Sequence, residues 1–425
     1  MERSGDTRKK VEASLARRHR KERLLHYCGF GATLMGIAFL LVFFTSVGMK
    51  GATAFQQSYV ALDVEFSAEQ LAPDGQVDVE SADFDAVVRQ ALQKQFPDVR
   101  ERRARRELYR LVSIGAGYQL RDLLEAHPEF LGTQQTVWLP ATADVDMVLK
   151  GNIERSVNES QRQVSDRQFE WIDKLVADGR IEKRFNTAFF TRGDSREPEL
   201  AGIRGALMGS FYMLVVTICL SFPIGVATAI YLEEFAPRNR WSDLIEVNIN
   251  NLAAVPSIVF GLLGLAVFIN WLSLPRSAPL IGGLVLALLT LPVIIIASRA
   301  AIKAVPPSIR DAALGLGASR MQVVTHHVLP LAMPGMLTGA IIGMSRALGE
   351  TAPLLMIGMI AFIVDVPTGF TDPATALPVQ IYLWADSPER AFDERTSAAI
   401  VVLLGFLLVM NLAAVIMRKR AEREW

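Results

Sequence analysis

Six apolar runs, each long enough to cross a lipid bilayer, dictate what this chain can become. They lie near residues 29–49, 206–231, 252–272, 280–297, 336–364 and 396–417. A crossing takes about 20 mostly apolar residues, because the hydrocarbon core is about 30 Å thick. Hydrophobic residues make up 51% of the chain and charged residues still reach 21%, so the two kinds must be segregated along it. The first run is preceded by a long basic leader, exceeds a signal-peptide core in length and ends in no small-residue cleavage site, so it reads as an uncleaved anchor. The formal net charge is zero and the basic residues form short clusters, which excludes a nucleic-acid footprint. Cys28 and Cys219 cannot build a disulfide framework or a C-x-x-C metal site, and no metal is expected.

Lysine and arginine orient the spans. They gather in the leader RKKVEASLARRHRKER, at Arg238 and Arg240, at Arg299, Lys303, Arg310 and Arg320, and in the tail RKRAERE. If each run crosses once, all four clusters fall on one side, and both termini are expected in the cytoplasm. The chain then divides into a leader (1–28), a first span (29–49), a periplasmic insertion (50–200), a helical transmembrane core (201–417) and a short tail (418–425).

The insertion has soluble character. Val60, Leu62, Val64 and Phe66 alternate in the manner of a strand, while Phe84, Val87, Val88, Leu92 and Phe96 recur at helical spacing. Residues 160–177 read as a second amphipathic helix, and the arginine-dense stretch 100–111 as a solvated helix face. A small mixed α/β domain is expected. The motifs that speak of mechanism lie outside it, so its removal is expected to spare the basal activity of the helical core.

Between the fourth and fifth runs the chain reads IRDAALGLGASRMQVVTHHVLPLAMPGML. Pro306 and Pro307 should end the preceding helix, and Asp311 should sit in the first turn of a short one, where its charge favours the helix dipole. Small residues follow, and Leu329-Pro330 should close the segment. A helix so bare of bulk lets another protein approach its backbone. An unpartnered amphipathic helix at the membrane surface fits the residues equally well.

In the fifth run, Gly335, Gly339 and Gly343 recur every fourth residue and suit close helix packing. Arg346 and Glu350 continue the stripe and should pair with each other on its inward face, because an intramembrane charge is costly unless partnered. Pro353 should kink the helix beyond them. The pair is either a static strut or part of an anion path with Thr351 beside it. Arg299 closes the fourth run, where it either joins that path or snorkels to the surface. No G-x-x-x-x-G-K-[ST] loop is present, so an ATP motor would be a separate protein.

Asp311-Ala312-Ala313, Gly317 and Leu329-Pro330 resemble the EAA loop of ABC importer permeases, EAA-x3-G-x9-I-x-LP, with Asp311 in place of Glu and His327 in place of Ile. YLEEFAPRNR, INNLAAVPSIVFGLLGL, SRALGETAPLL and LPVQIYLWADSPERAF are similar to the phosphate permeases of the PstA family, from Gly205 to the C-terminus. The resemblance implies a polytopic six-helix importer permease of type I-like fold whose EAA loop is gripped by an ATPase. It also implies a second, PstC-like permease, a PstB-like ATPase dimer and a PstS-like phosphate-binding protein. ATP would be used by the ATPase, and no cofactor would be bound by this chain. A permease for sulfate, phosphonate or molybdate, a membrane sensor built on the insertion and an ion-driven carrier are the rival readings.

Overall fold

The computed structural model describes residues 2–67, 71 and 82–422. Residue 1 of the leader, residues 68–70 and 72–81 of the expected insertion, and residues 423–425 of the tail lie outside these. The leader and first span form one helix, α1 (Glu2–Ala54). A single residue, Phe55, separates it from strand β1 (Gln56–Glu65). The inserted domain follows as α2 (Phe84–Gln95), α3 (Arg102–Tyr109), α4 (Gly115–Ala126), β2 (Gln134–Pro140), α5 (Ala143–Lys150), α6 (Asp166–Ala177), β3 (Ile181–Phe185) and α7 (Thr187–Thr191).

The alternation read in the sequence builds this domain's core. Val60, Leu62, Val64 and Phe66 are fully buried, and β1 lies between β2 and β3 in an antiparallel sheet of order β2-β1-β3. Phe84, Val87, Val88 and Leu92 turn one face of α2 onto the same core, and Asp83 caps the helix by accepting from the Ala86 N–H. The second amphipathic helix starts at Asp166 rather than near residue 160. Ser165 and Gln168 close a capping box there, so two of the helix's orphan N-terminal donors are satisfied only from that point.

Beyond the domain run α8 (Arg204–Phe235), α9 (Arg240–Ala253), α10 (Ser257–Trp271), α11 (Pro279–Lys303), α12 (Pro307–Gly315), α13 (Arg320–Gly349), α14 (Ala352–Met356), α15 (Leu377–Ala385) and α16 (Ala391–Ala421). Among the described residues five helices are long and apolar enough to cross a membrane, and six if α9 and α10 count as one broken span. The molecule is thus mostly helical, with several apolar helices of membrane-crossing length and a small mixed α/β insertion.

Two of the six runs are not the straight helices expected. The third is broken, α9 and α10 meeting at 102°. Pro256 disfavours the helical conformation at Val255 and instead opens α10 as its N-cap. The fifth is displaced toward the N-terminus, since α13 ends at Gly349 and Glu350 is extended (φ −80°, ψ 112°). Pro353 therefore does not kink the helix. It has no N–H to give the carbonyl of Gly349 and its ring would clash there, so the helix stops. Pro353 instead packs in α14 against Gly261 of α10, where a Cβ at Gly261 would lie 2.7 Å from the proline Cα.

The inserted domain is not a separable appendage in its packing. Lys150 at the end of α5 is 3% exposed and bonds Asp146 at 2.6 Å and Glu394, in the first turn of α16, at 2.5 Å. Asp146 also accepts from the Ser58 N–H at 2.9 Å, and Asn152 donates to Glu394 at 3.2 Å. Beside them the buried Arg395 donates to Gln57 of β1 at 2.8 Å. At Gly51, α1 comes so near α16 that a Cβ would lie 3.0 Å from the Ala398 nitrogen.

Candidate transport path and coupling element

Arg346 and Glu350 meet as the sequence suggests, Nε to Oε1 at 3.4 Å, but not on the inward stripe. The buried face of α13 runs through Ala332, Met336, Gly339, Ala340, Gly343 and Ala347. Arg346 lies off that face, with 45% of its side chain exposed. The pair sits at the end of a broken helix: Arg346 is in the last turn, where a cation complements the dipole, and Glu350 is the C-cap. Thr351 follows, half-buried, and its carbonyl accepts the N–H of Leu354 at 3.0 Å as α14 begins.

The glycines face α11. A Cβ at Gly335 would stand 2.6 Å from the Ala301 Cβ, one at Gly339 closer still to that of Ala297, and one at Gly343 3.6 Å from Ile294. Only backbone-width residues at the first two positions permit this approach. The Ser345 hydroxyl donates to Asn411 Oδ1 at 2.8 Å, which ties α13 to α16.

Arg299 is neither free nor snorkelling. It is held by two carboxylates, Glu233 Oε1 at 2.5 Å and Glu246 Oε2 at 2.8 Å, and is only 12% exposed. Next to it Arg310 donates to Glu234 at 2.7 Å and to the carbonyls of Val305 and Ile302 at 2.7 and 3.0 Å. Arg310 thereby staples α12 to the end of α11 and to the end of α8. Sequence reasoning missed Glu233, Glu234, Glu246 and Arg310 as a set. The signal was present, because two adjacent glutamates closing an apolar span each demand a partner.

The EAA-like segment adopts a form different from the expected one. Pro306 and Pro307 open α12 rather than end α11, which already stops at Lys303. Asp311 therefore falls in the second turn, exposed, and not in the first. Ala312 is exposed and Ala313 buried. Gly317 lies past the helix end in the left-handed region (φ +86°). Its N–H bonds the Leu314 carbonyl at 2.9 Å and the Ala318 N–H bonds that of Ala313 at 3.1 Å, the paired bonds of a Schellman ending. Leu329 and Pro330 do not close the loop. They lie inside α13, which runs unbroken from Arg320 through a π-helical stretch at Val323–Val328. Leu316, 90% exposed, projects from the tip with Leu314 and Met321. Behind it lies an apolar cavity of about 630 Å³ lined by Ala301, Val305, Ile309, Ala313, His327 and Leu331.

At the boundary between the inserted domain and α16, carboxylates crowd together. Burial pushes Glu199 above its ordinary range, and Glu197 adds to the shift. Asp144 is raised by burial and by Glu197 against the opposing pull of Arg110, and Glu389 by burial, Glu197 and Asp144. Glu199 Oε2 accepts the Ala143 N–H at 3.2 Å, which fixes the start of α5.

Among the described residues, up to six helical spans, one of them broken, carry an exposed helix-turn presented by α12 and α13. The sequence model of the binding-protein-dependent transport system inner membrane component family matches residues 221–423, and the chain belongs to that family of ABC transporter permeases. It is 34% identical over 241 residues to the probable ABC transporter permease protein YqgI of Bacillus subtilis, covering 53% of this chain and 81% of that protein. It is 33% identical over 232 residues to phosphate transport system permease protein PstA 1 of Mycobacterium tuberculosis, covering 55% of this chain and 75% of that one. A second model, of a domain of unknown function (DUF3333), matches residues 12–159. Superposition on the MetNI methionine ABC transporter gives a TM-score of 0.41 at 17% identity, over 52% of this chain and 97% of that one, a likeness too partial to argue from.

Proposed function

We propose that this permease carries inorganic phosphate from periplasm to cytoplasm in an ATP-driven importer. The observation that carries the reading is the 33% identity to a phosphate transport permease sustained over 232 residues. The geometry is compatible with it. Arg346 stands half-exposed where α13 ends, and a cation there lowers the barrier for a partly dehydrated anion without binding it tightly. Glu350, one turn on, holds Arg346 between passages, and Thr351 adds a hydroxyl. Arg299, occupied by Glu233 and Glu246, serves as a brace of the path rather than as its lining.

In this reading the surface of α12 with Asp311, Ala312 and Leu316 is what a separate PstB-like ATPase grips. Arg310 passes that movement to α8 and α11. A PstC-like permease completes the path and a PstS-like protein delivers the anion, so selectivity rests mainly with the latter. ATP is spent by the ATPase, and this chain holds no cofactor. The basic leader, Arg238, Arg240, Lys303 and the tail favour both termini in the cytoplasm and the inserted domain in the periplasm.

The test is uptake of radiolabelled phosphate at micromolar supply in cells lacking the gene, rescued by wild type or by Arg346→Ala. Rescue by wild type, no competition from sulfate and silence of the variant in a normally assembled complex are the expected results. Failure of wild type to restore phosphate uptake overturns the cargo. Normal uptake by the variant returns Arg346 to a strut.

A further inference from the structure

The inserted domain carries an aromatic face that nothing in the transport reading uses. The Phe55 ring, directly after α1, stacks on Phe190 at 5.7 Å and 16°, and Phe190 stacks on Phe185 at 5.8 Å and 5°. Phe185 is 61% exposed and Phe190 40%. The short helix α7 divides its aromatics sharply, since Phe189 is fully buried against Phe55 and Trp384 while its neighbour Phe190 points out. Stacked, exposed phenylalanines are a cost in water, so this face has an occupant.

Position identifies it. Phe185 pairs with Gln56, the first residue of β1, so it sits at the end of the sheet nearest α1. Along α1 the apolar side chains from Leu24 to Met49, the half-buried Val47 apart, are exposed in this chain, as a lipid-facing surface would be. Phe55 lies six residues beyond Met49, about 9 Å along a helix, which puts it at the outer edge of a headgroup layer roughly 5–8 Å deep. The exposed apolar surface of α1 is therefore followed, within two helical turns, by the three-ring stack. We infer that the inserted domain rests on the bilayer, with Phe185 and Phe190 lodged in the headgroup layer of the leaflet from which α1 emerges. The domain is thereby held at a fixed height over the spans.

The experiment uses the full chain in lipid nanodiscs, with Cys28→Ser and Cys219→Ser removing the two native thiols. Nitroxide labels are placed at Phe185→Cys, at Phe190→Cys and, as a control, at Gln134→Cys. Gln134 pairs with Glu65 at the opposite end of β1, about 30 Å away by strand rise. Relaxation by oxygen relative to a water-soluble nickel chelate should be several-fold higher at 185 and 190 than at 134. Labels at 185 and 190 that favour nickel as the control does, or that are shielded from both relaxers as a protein partner would shield them, overturn the inference. A lipid bearing a photoreactive diazirine near its headgroup provides a measurement on the unsubstituted chain. Adducts are expected on the segment 181–191, and their absence there, with adducts present on α1, also overturns it.

Discussion

The two ends of the helical core hold their charges in opposite ways. At the α12 end Arg299, Lys303 and Arg310 meet Glu233, Glu234 and Glu246 across helix ends, with Lys303 59% and Glu246 45% exposed and bare apolar side chains projecting beyond them. At the inserted-domain end Lys150, Asp146, Glu394 and Arg395 are sealed inside a contact between segments more than 240 residues apart. The outer pairs made by Lys303 and Glu246 are screened, individually weak and easily remade, over largely covered pairs of Arg299 with Glu233 and Arg310 with Glu234, which suits an end whose rim something outside must grip and move. Sealed ones add little net stability but make any other docking of the two parts expensive, which suits an end that must stay in register.

Substitution separates these behaviours most strongly at Lys150. Lys150→Ala leaves Asp146 and Glu394 buried with Arg395 as the neighbouring cation and should cost about 3 kcal/mol, against under about 1 kcal/mol for Lys303→Ala at the other end. Thermal unfolding of the purified chain in detergent, with proteolysis of the segment 192–203 between α7 and α8 as a second readout, measures both. Equal effects would erase the contrast. Next in size is Gly339→Val, which drives a side chain into Ala297 and should cost about 1–3 kcal/mol, while Gly343→Ala, with 3.6 Å of room, should be close to neutral.

Gly317→Ala meets no atom within 4 Å, so its cost of roughly 1 kcal/mol should come from the left-handed backbone alone. Proteolytic sensitivity of the α12–α13 turn should rise while the inserted domain is unaffected. The smallest effect expected is on pH. Glu199, Asp144 and Glu389 are held above their ordinary range, so the folded contact binds more protons than the unfolded chain. The stability they contribute is complete at acidic pH and is lost as pH rises through their raised values. Amide exchange in α5 should therefore quicken with pH beyond its intrinsic trend, and Glu199→Gln should flatten that excess.

The sequence disclosed those parts of the fold that rest on local periodicity. Val60 to Phe66 and Phe84 to Leu92 signal their elements through period alone, and the spans do so through length. Hydropathy does not register a proline within an apolar run as an ending, so the break at Pro256 looked like continuous helix and the one at Pro353 like a kink. The inward placement of Arg346 failed for a related reason. Residues 339, 343 and 346 follow helical spacing, but the buried stripe passes through Ala347, one position on. Partners far apart in the chain, such as Lys150 with Glu394 or Arg299 with Glu233, leave no periodic trace. Only the cost of an unpaired charge announces that some partner exists.

The one-residue junction between α1 and β1 has a mechanical consequence. A span that passes into a strand with no slack, and is packed against α16 at Gly51, carries the sheet as a lever arm. Glu65 lies nine residues out along β1, about 30 Å from the junction. A tilt of about 10° in the span then sweeps that tip through roughly 5 Å, a displacement far larger than the side-chain adjustments that would cause it. Small rearrangements among the spans would thus be legible at the far rim of the inserted domain.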